Sequence, residues 1–243
     1  MNRVVTNFIR NILDEYLPPK LRDARWFMYP MFYVWYKGKN IEKYMDFKTT
    51  AYNLTDFEFS EIYRNITSMA EDRPTDLNNS SINLMISQID KNAKTLLDVG
   101  CGRGYWLNYL EKEKSDLNLF GCDLKDDLEN LTTAKYVKGS IYKLPFEDKS
   151  IDIITCHHTI EHLRDVKSAI IEMKRVAKKQ IMIVVPRQRY YFYTMDLHLN
   201  FYPIASYLEK EMEINNHLIE DIHGDWVFIG NLGVIDKMVD KKL

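Results

Sequence analysis

Apolar and polar positions change rhythm along the chain near residue 80. Residues 1–80 carry helical patterning dense in aromatic side chains. From about Thr95 onward, short β-branched runs alternate with amphipathic stretches, the pattern of βαβ units and a parallel sheet. The runs predict strands at Thr95–Val99, Asn118–Asp123, Lys135–Lys138, Ile151–Cys156 and Gln180–Val185. Between the last two, Val166, Ala169, Ile170, Met173, Val176 and Ala177 recur at helical spacing, so Val166–Ala177 is expected to be a one-faced helix. Two late strands are expected at Glu213–Ile222 and Trp226–Leu232, with Gly224 favouring a turn between them. The expected architecture is α/β: a doubly wound, mostly parallel, seven-stranded sheet with an antiparallel C-terminal strand, over residues 81–243. Residues 1–80 are expected to form a separate, aromatic-rich helical cap.

The 243 residues suffice to bury a core without disulfides or a structural metal. A net charge of −2 gives no basic field, which argues against a nucleic-acid partner. Cys101, Cys122 and Cys156 form no spaced framework, and this suits a reducing compartment. No apolar run approaches the length of a membrane span, and Arg10, Asp14 and Glu15 interrupt any signal-peptide core. A cytoplasmic location is expected.

The chain has nine glycines, and Gly100, Gly102 and Gly104 fall within five residues. The segment from Leu96 to Leu107 reads as a buried strand, a glycine-rich turn and a helix start. Such a turn lets a ligand approach the backbone, and the helix N-terminus offers free N–H groups to an anion. The spacing is G-x-G-x-G, with Asp98 two residues before it, and not the G-x-G-x-x-G of a dinucleotide site. The next predicted strand ends at Asp123, where a carboxylate can accept both hydroxyl protons of a ribose.

This D-x-G-x-G-x-G loop with a following strand-end acid resembles the class I S-adenosylmethionine-dependent methyltransferases, and within them the methyltransferase type 11 group. The segment Lys138–Phe146 resembles that family's G-D-x-x-x-L-P-F block, with Ser140 where the family has its adenine-contacting Asp. The resemblance implies a Rossmann-like fold and S-adenosyl-L-methionine as cofactor, leaving S-adenosyl-L-homocysteine as product. It implies a cofactor site of Asp98, Gly100, Cys101, Gly102, Gly104, Trp106, Asp123, Leu124, Ser140, Ile141 and His157.

After the fourth strand come His157, His158, Thr159, Ile160, Glu161, His162 and Leu163. His158, Glu161 and His162 stand at i, i+3 and i+4, so one helical turn would bring all three onto one face. H-x-x-E-H is also an inverzincin pattern, but a zinc peptidase would leave the glycine loop unexplained. The family often carries E-H-L here, as in Glu161-His162-Leu163. His158, Glu161 and His162 are therefore also a candidate divalent-metal set, as in family members that methylate quinone-precursor phenols. An oxygen acceptor needs its proton removed, and histidine is the usual base near neutral pH. His158, His162 and, beyond the fifth strand, His198 are the candidates. The stretch after Pro186 adds Arg187, Arg189, Tyr191 and Asp196 as acceptor-binding candidates, with Asp196 a partner for His198.

Near the N-terminus, L-P-P-x-L-R-D precedes the aromatic run Trp26–Tyr36, which Pro30 is expected to break. These segments resemble N-terminal regions of methyltransferases from polysaccharide and surface-glycan gene clusters. The resemblance implies O-methylation of a sugar or glycan precursor. The alternatives are a quinone-like phenol or other small-metabolite acceptor, or an inactive cofactor-binding partner protein. The aromatic run is also available for peripheral membrane contact or a homodimer.

Overall fold

The computed structural model describes residues 12–66, 74–114, 116–124 and 134–233. The chain packs as two compact units. The first gathers residues 1–76 with two later segments, Glu161–Arg164 and Gln188–Pro203. The second holds 77–160, 165–187 and 204–243. The expected division at residue 80 followed chain order, whereas the packing recruits two segments from beyond β-strand ends.

In the first unit, α1 is Arg25–Trp35, α2 is Ile41–Met45 and α3 is Asp56–Arg64, with short turns of helix at Pro19–Arg22 and Phe47–Thr50. Helix α3 starts in a capping box. Thr55 accepts from the Glu58 amide while the Glu58 carboxylate accepts from the Thr55 amide. Helix α1 buries Met28, Phe32 and Trp35, one face at the helical repeat. They join Tyr36, Tyr44, Phe47, Ile62, Met195 and Leu197 in an aromatic core. The Tyr36 ring stacks on Tyr44 at 4.0 Å, and its buried hydroxyl donates to the Met195 carbonyl. Pro30 does not break α1. Trp26 and Pro30 both lie on the exposed face, so the Trp26 carbonyl, deprived of its helical donor, can be met by solvent.

In the second unit, α4 (Asn79–Gln88) precedes the first strand, capped by the Asn78 side chain. The strands and helices that follow are β1 (Thr95–Val99), α5 (Tyr105–Glu113), β2 (Asn118–Asp123), β3 (Lys135–Lys138) and β4 (Ile151–His157). The unit continues with α6 (Val166–Val176), β5 (Ala177–Pro186), α7 (Ala205–Met212), β6 (His217–Ile222) and β7 (Asp225–Asn231). The sheet has seven strands in the order β3-β2-β1-β4-β5-β7-β6. Strands β1 to β5 run parallel, and β7 is antiparallel to both β5 and β6. This is the expected Rossmann-like sheet. Strand order reverses between β1 and β4, the switch point at whose carboxyl ends such folds bind ligands. The two strands are almost wholly buried, which accounts for the apolar residues on both faces of each.

Two boundaries differ from the sequence expectation by more than one residue. Strand β6 begins at His217, because Ala205–Met212 forms a helix burying Leu208 and Met212, and Glu213 ends it in a left-handed conformation at φ +43°. Strand β5 begins at Ala177, directly after α6.

Candidate functional site

The glycine loop leaves β1 as expected and enters α5. Gly100 and Gly102 have φ of +72° and +52°, values that favour glycine. Their surroundings differ. A Cβ on Gly100 would lie 2.4 Å from Thr159 Oγ1, so the segment after β4 is packed directly on the loop. A Cβ on Gly102 would meet nothing within 4 Å, so this turn faces open space. Its amide donates to the Asp123 carboxylate at 2.9 Å. Gly104, at φ +74°, caps α5 without a side-chain acceptor, leaving first-turn amides of a nine-residue helix to an anionic ligand.

Beneath the loop, Asp98 is fully buried and accepts from Thr155 Oγ1 at 2.8 Å across the β1–β4 pairing. Burial pushes its carboxyl up to about 7, opposed by the Thr155 hydrogen bond and assisted by the Asp123 charge. His157 Nδ1 lies 3.5 Å away. Burial, and then neighbouring His158, hold that imidazole down at about 3, so this contact is not an ion pair at neutral pH. Trp106 meets the His157 ring edge-on at 5.5 Å and packs in the core with Leu107 and Leu110. It therefore supports the loop from the core side. His157 Nε2 and Trp106 Nε1 are both buried without a hydrogen-bond partner. Burial also pushes the Cys101 thiol far above its ordinary range, so it serves as a small apolar wall.

The other cofactor candidates are spread around β2 and β3. Leu124 is exposed at the end of β2 and Ile141 is buried. The Ser140 hydroxyl accepts from the Tyr142 amide at 3.3 Å, inside its own turn. The stretch 125–133, between β2 and β3, lies outside the described residues.

The segment after β4 divides His158, Glu161 and His162, which the sequence grouped. His158 takes φ +47°, and Ile160–His162 forms a single 3₁₀ turn. The one-faced set of His158, Glu161 and His162 is therefore not formed, because a left-handed residue precedes the turn. The His158 ring instead lies with Nε2 3.8 Å from Asp225 Oδ2. Asp225 is fully buried and accepts from Asn78 Nδ2 at 3.3 Å.

Glu161 and His162 belong to the first unit, where His198 joins them. One ligand-type atom from each of the three lies within 4.8 Å of the others. The His162 and His198 rings meet edge to face at 4.7 Å, and Tyr63 meets His162 at 5.3 Å. His198 Nδ1 pairs with Gln188 Oε1 at 2.7 Å, a partner with no local sequence signal. The Glu161 carbonyl accepts from the Leu199 and Asn200 amides at 2.8 and 2.9 Å, tying the two inserted segments together.

The acceptor candidates also part company. Arg187, in the second unit, pairs with Asp221 at 2.8 Å. Arg189 is exposed, Tyr191 is buried and Asp196 is half-buried, all in the first unit. The Tyr191 hydroxyl accepts from Gln188 Nε2 at 3.3 Å. Composition did not single out Lys48. Its amine donates to the Tyr191 carbonyl and lies 4.8 and 4.3 Å from the Tyr190 and Phe201 ring centres. Burial lowers its pKa from 10.5 to about 7, opposed by Asp23.

Residues 97–185 match the family described as a methyltransferase domain. An uncharacterized methyltransferase of Schizosaccharomyces pombe is 32% identical over 104 residues, covering 36% of this chain and 37% of the relative. A phthiotriol/phenolphthiotriol dimycocerosates methyltransferase of Mycobacterium tuberculosis is 29% identical over 126 residues, 43% of this chain and 47% of the relative. The chain thus spans less than half the length of these curated relatives. Among solved structures, a SAM-dependent methyltransferase of Archaeoglobus fulgidus superimposes with a TM-score of 0.53 at 17% identity, over 63% of this chain and 91% of that one. That likeness concerns the fold. Loop, sheet order and matched segment together support a class I methyltransferase domain in the second unit, with S-adenosylmethionine as its cofactor.

Proposed function

We propose that the chain transfers a methyl group from S-adenosylmethionine to a hydroxyl of a sugar or glycan precursor, with a histidine as base. The observation that carries the first half is the Gly102 turn. It faces open space and points an amide at the Asp123 carboxylate, while first-turn amides of α5 stand uncapped beside it. These groups suit a ligand with a ribose and a carboxylate. On this reading Gly100, Cys101, Gly102 and Gly104 line the cofactor, Asp123 accepts from its ribose, and Leu124, Ser140 and Ile141 border the adenine. Asp98, Trp106 and His157 brace the loop. When bound, the cofactor supplies an activated methyl donor, so the protein's share is chiefly alignment and proton removal.

His158 is the preferred base. It follows β4 at the switch point, in the same unit as the loop, and its ring lies near the buried Asp225. A buried carboxylate beside an imidazole favours the imidazolium that forms as a proton arrives. His162 and His198 are the rival bases. Arg187, Arg189, Tyr191 and Asp196 are offered as acceptor contacts, since guanidinium groups suit phosphate or carboxylate and aromatic rings suit sugar faces.

The sugar acceptor rests on the resemblance of the N-terminal segments to glycan-cluster methyltransferases. The outward face of α1 adds Trp26, Tyr29, Tyr33 and Val34, all exposed, which suits an acceptor held at a membrane interface or a second copy of the chain. No helix among the described residues is long and apolar enough to cross a membrane. A quinone-like phenol or other small metabolite is the second reading for the acceptor.

The test is transfer of an isotopically labelled methyl group into a panel of nucleotide sugars, lipid-linked sugars and phenols, read by mass. A labelled sugar whose formation is lost in His158→Ala, with cofactor affinity intact, supports the proposal. Label in phenols alone overturns the sugar acceptor, and full turnover in His158→Ala removes His158 as base.

A further inference from the structure

We infer that Glu161, His162 and His198 form a binding site for one divalent transition-metal ion, with zinc the best-matched common ion. The three side chains come from two segments far apart in sequence, and one ligand-type atom from each lies within 4.8 Å of the others. Ligands about 2.0–2.1 Å from a zinc ion stand about 3.3 Å apart, and the three atoms here are already within 4.8 Å of one another. Two imidazoles and a carboxylate are a common three-ligand zinc set that leaves a fourth position open.

The surroundings are those of a built site. Glu161 is fully buried, His198 is 6% exposed and Gln188 is 1% exposed. Gln188 Oε1 takes His198 Nδ1 at 2.7 Å. An amide oxygen accepts, so the ring proton sits on Nδ1 and Nε2 is the nitrogen that coordinates. Metal-binding histidines are commonly fixed in this way by a polar partner on the other nitrogen. Gln188 is itself held by the Tyr191 hydroxyl at 3.3 Å. His162 Nδ1 is buried and makes no hydrogen bond. The paired Leu199 and Asn200 amides on the Glu161 carbonyl hold the Glu161 and His198 segments in register. An ion here would clamp the segment that follows β4 to the segment that follows β5. His162 and His198 would then give their lone pairs to the metal, leaving His158 as the base.

The inference does not depend on methyl transfer, and its test uses neither cofactor nor acceptor. The full chain, stripped with chelator, is titrated with zinc chloride against a competing chromogenic chelator, and cobalt(II) is substituted for its visible spectrum. One equivalent of zinc should bind, and cobalt should give the intense bands of a low-coordinate His/carboxylate site. Glu161→Gln and His198→Ala should weaken zinc at least about 100-fold, and Gln188→Leu about 10- to 100-fold. His158→Ala and the surface variant His223→Ala should bind as the parent does. Circular dichroism of each stripped variant checks folding, and Gln188→Leu, which keeps all three ligands, tests the site if a ligand variant fails to fold. Absence of stoichiometric zinc binding overturns the site and leaves the methyl-transfer proposal standing. Parent-like affinity in folded Glu161→Gln and His198→Ala variants also overturns it, as does loss of binding in His158→Ala.

Discussion

Gly100 and Thr159 are packed so closely that a single methyl on the glycine would come within 2.4 Å of the threonine hydroxyl. The cofactor loop and the segment after β4 are therefore one mechanical piece. Gly100→Ala combines that overlap with an unfavourable φ of +72° and should cost about 1–3 kcal/mol of stability. Thr159→Ala in the same chain removes the two closest atoms and should recover part of the loss. The strain at positive φ should persist. Chemical denaturation of both single variants and the double variant measures the coupling. Simple additivity would show that the two residues do not press on each other.

Asp98 and His157 should cancel each other's pH dependence. Asp98 is raised from 3.8 to about 7, so the folded state holds a proton there that the unfolded state releases. Alone, this makes stability fall as pH rises from about 4 to 7. His157 is lowered from 6.5 to about 3, so the unfolded state binds a proton that the folded state refuses. Alone, this makes stability rise with pH from about 3 to 6.5. Between about 4 and 6.5 each state of the pair carries one proton, and the slopes offset. His157→Gln should uncover a decline with rising pH, and Asp98→Asn a rise. Urea midpoints across that range check both signs, and parallel profiles in the two variants would refute the assignment.

Lys48 should make stability increase between neutral and alkaline pH. Its amine is lowered to about 7 from 10.5 by burial, so over that window the unfolded chain binds a proton that the folded chain does not. Lys48→Met, which keeps a flexible apolar stem among Tyr190, Tyr191 and Phe201, should abolish the rise. Denaturation midpoints from pH 7 to 10 supply the comparison. An unchanged slope would mean that Lys48 keeps its ordinary affinity for protons.

Much of the second unit was legible because its signals are local. Strand β4 is rich in β-branched apolar residues, α6 shows one apolar face, and the loop glycines report their conformations through composition alone. Helix α7 was obscured because Leu208 and Met212 are the only residues it buries, and Glu213 reads as extended until its left-handed turn is seen. Pro30 was misread because a proline on a solvent face can be accommodated within a helix. The histidines were the least legible. Spacing places His158 with Glu161 and His162, but the positive φ of His158 breaks that face. His198 and Gln188 reach Glu161 and His162 only through tertiary packing, which no local pattern encodes. The first unit's second and third segments were hidden for the same reason.

The most direct test of the central claim is calorimetric titration of the chain with S-adenosylhomocysteine. One site with a Kd in the micromolar range is expected. Asp123→Ala, which deletes a charged acceptor for ribose hydroxyls, should weaken binding by about 10- to 100-fold in a chain that still folds. No heat and no competition by S-adenosylmethionine at millimolar ligand, or equal affinity in Asp123→Ala, would contradict it.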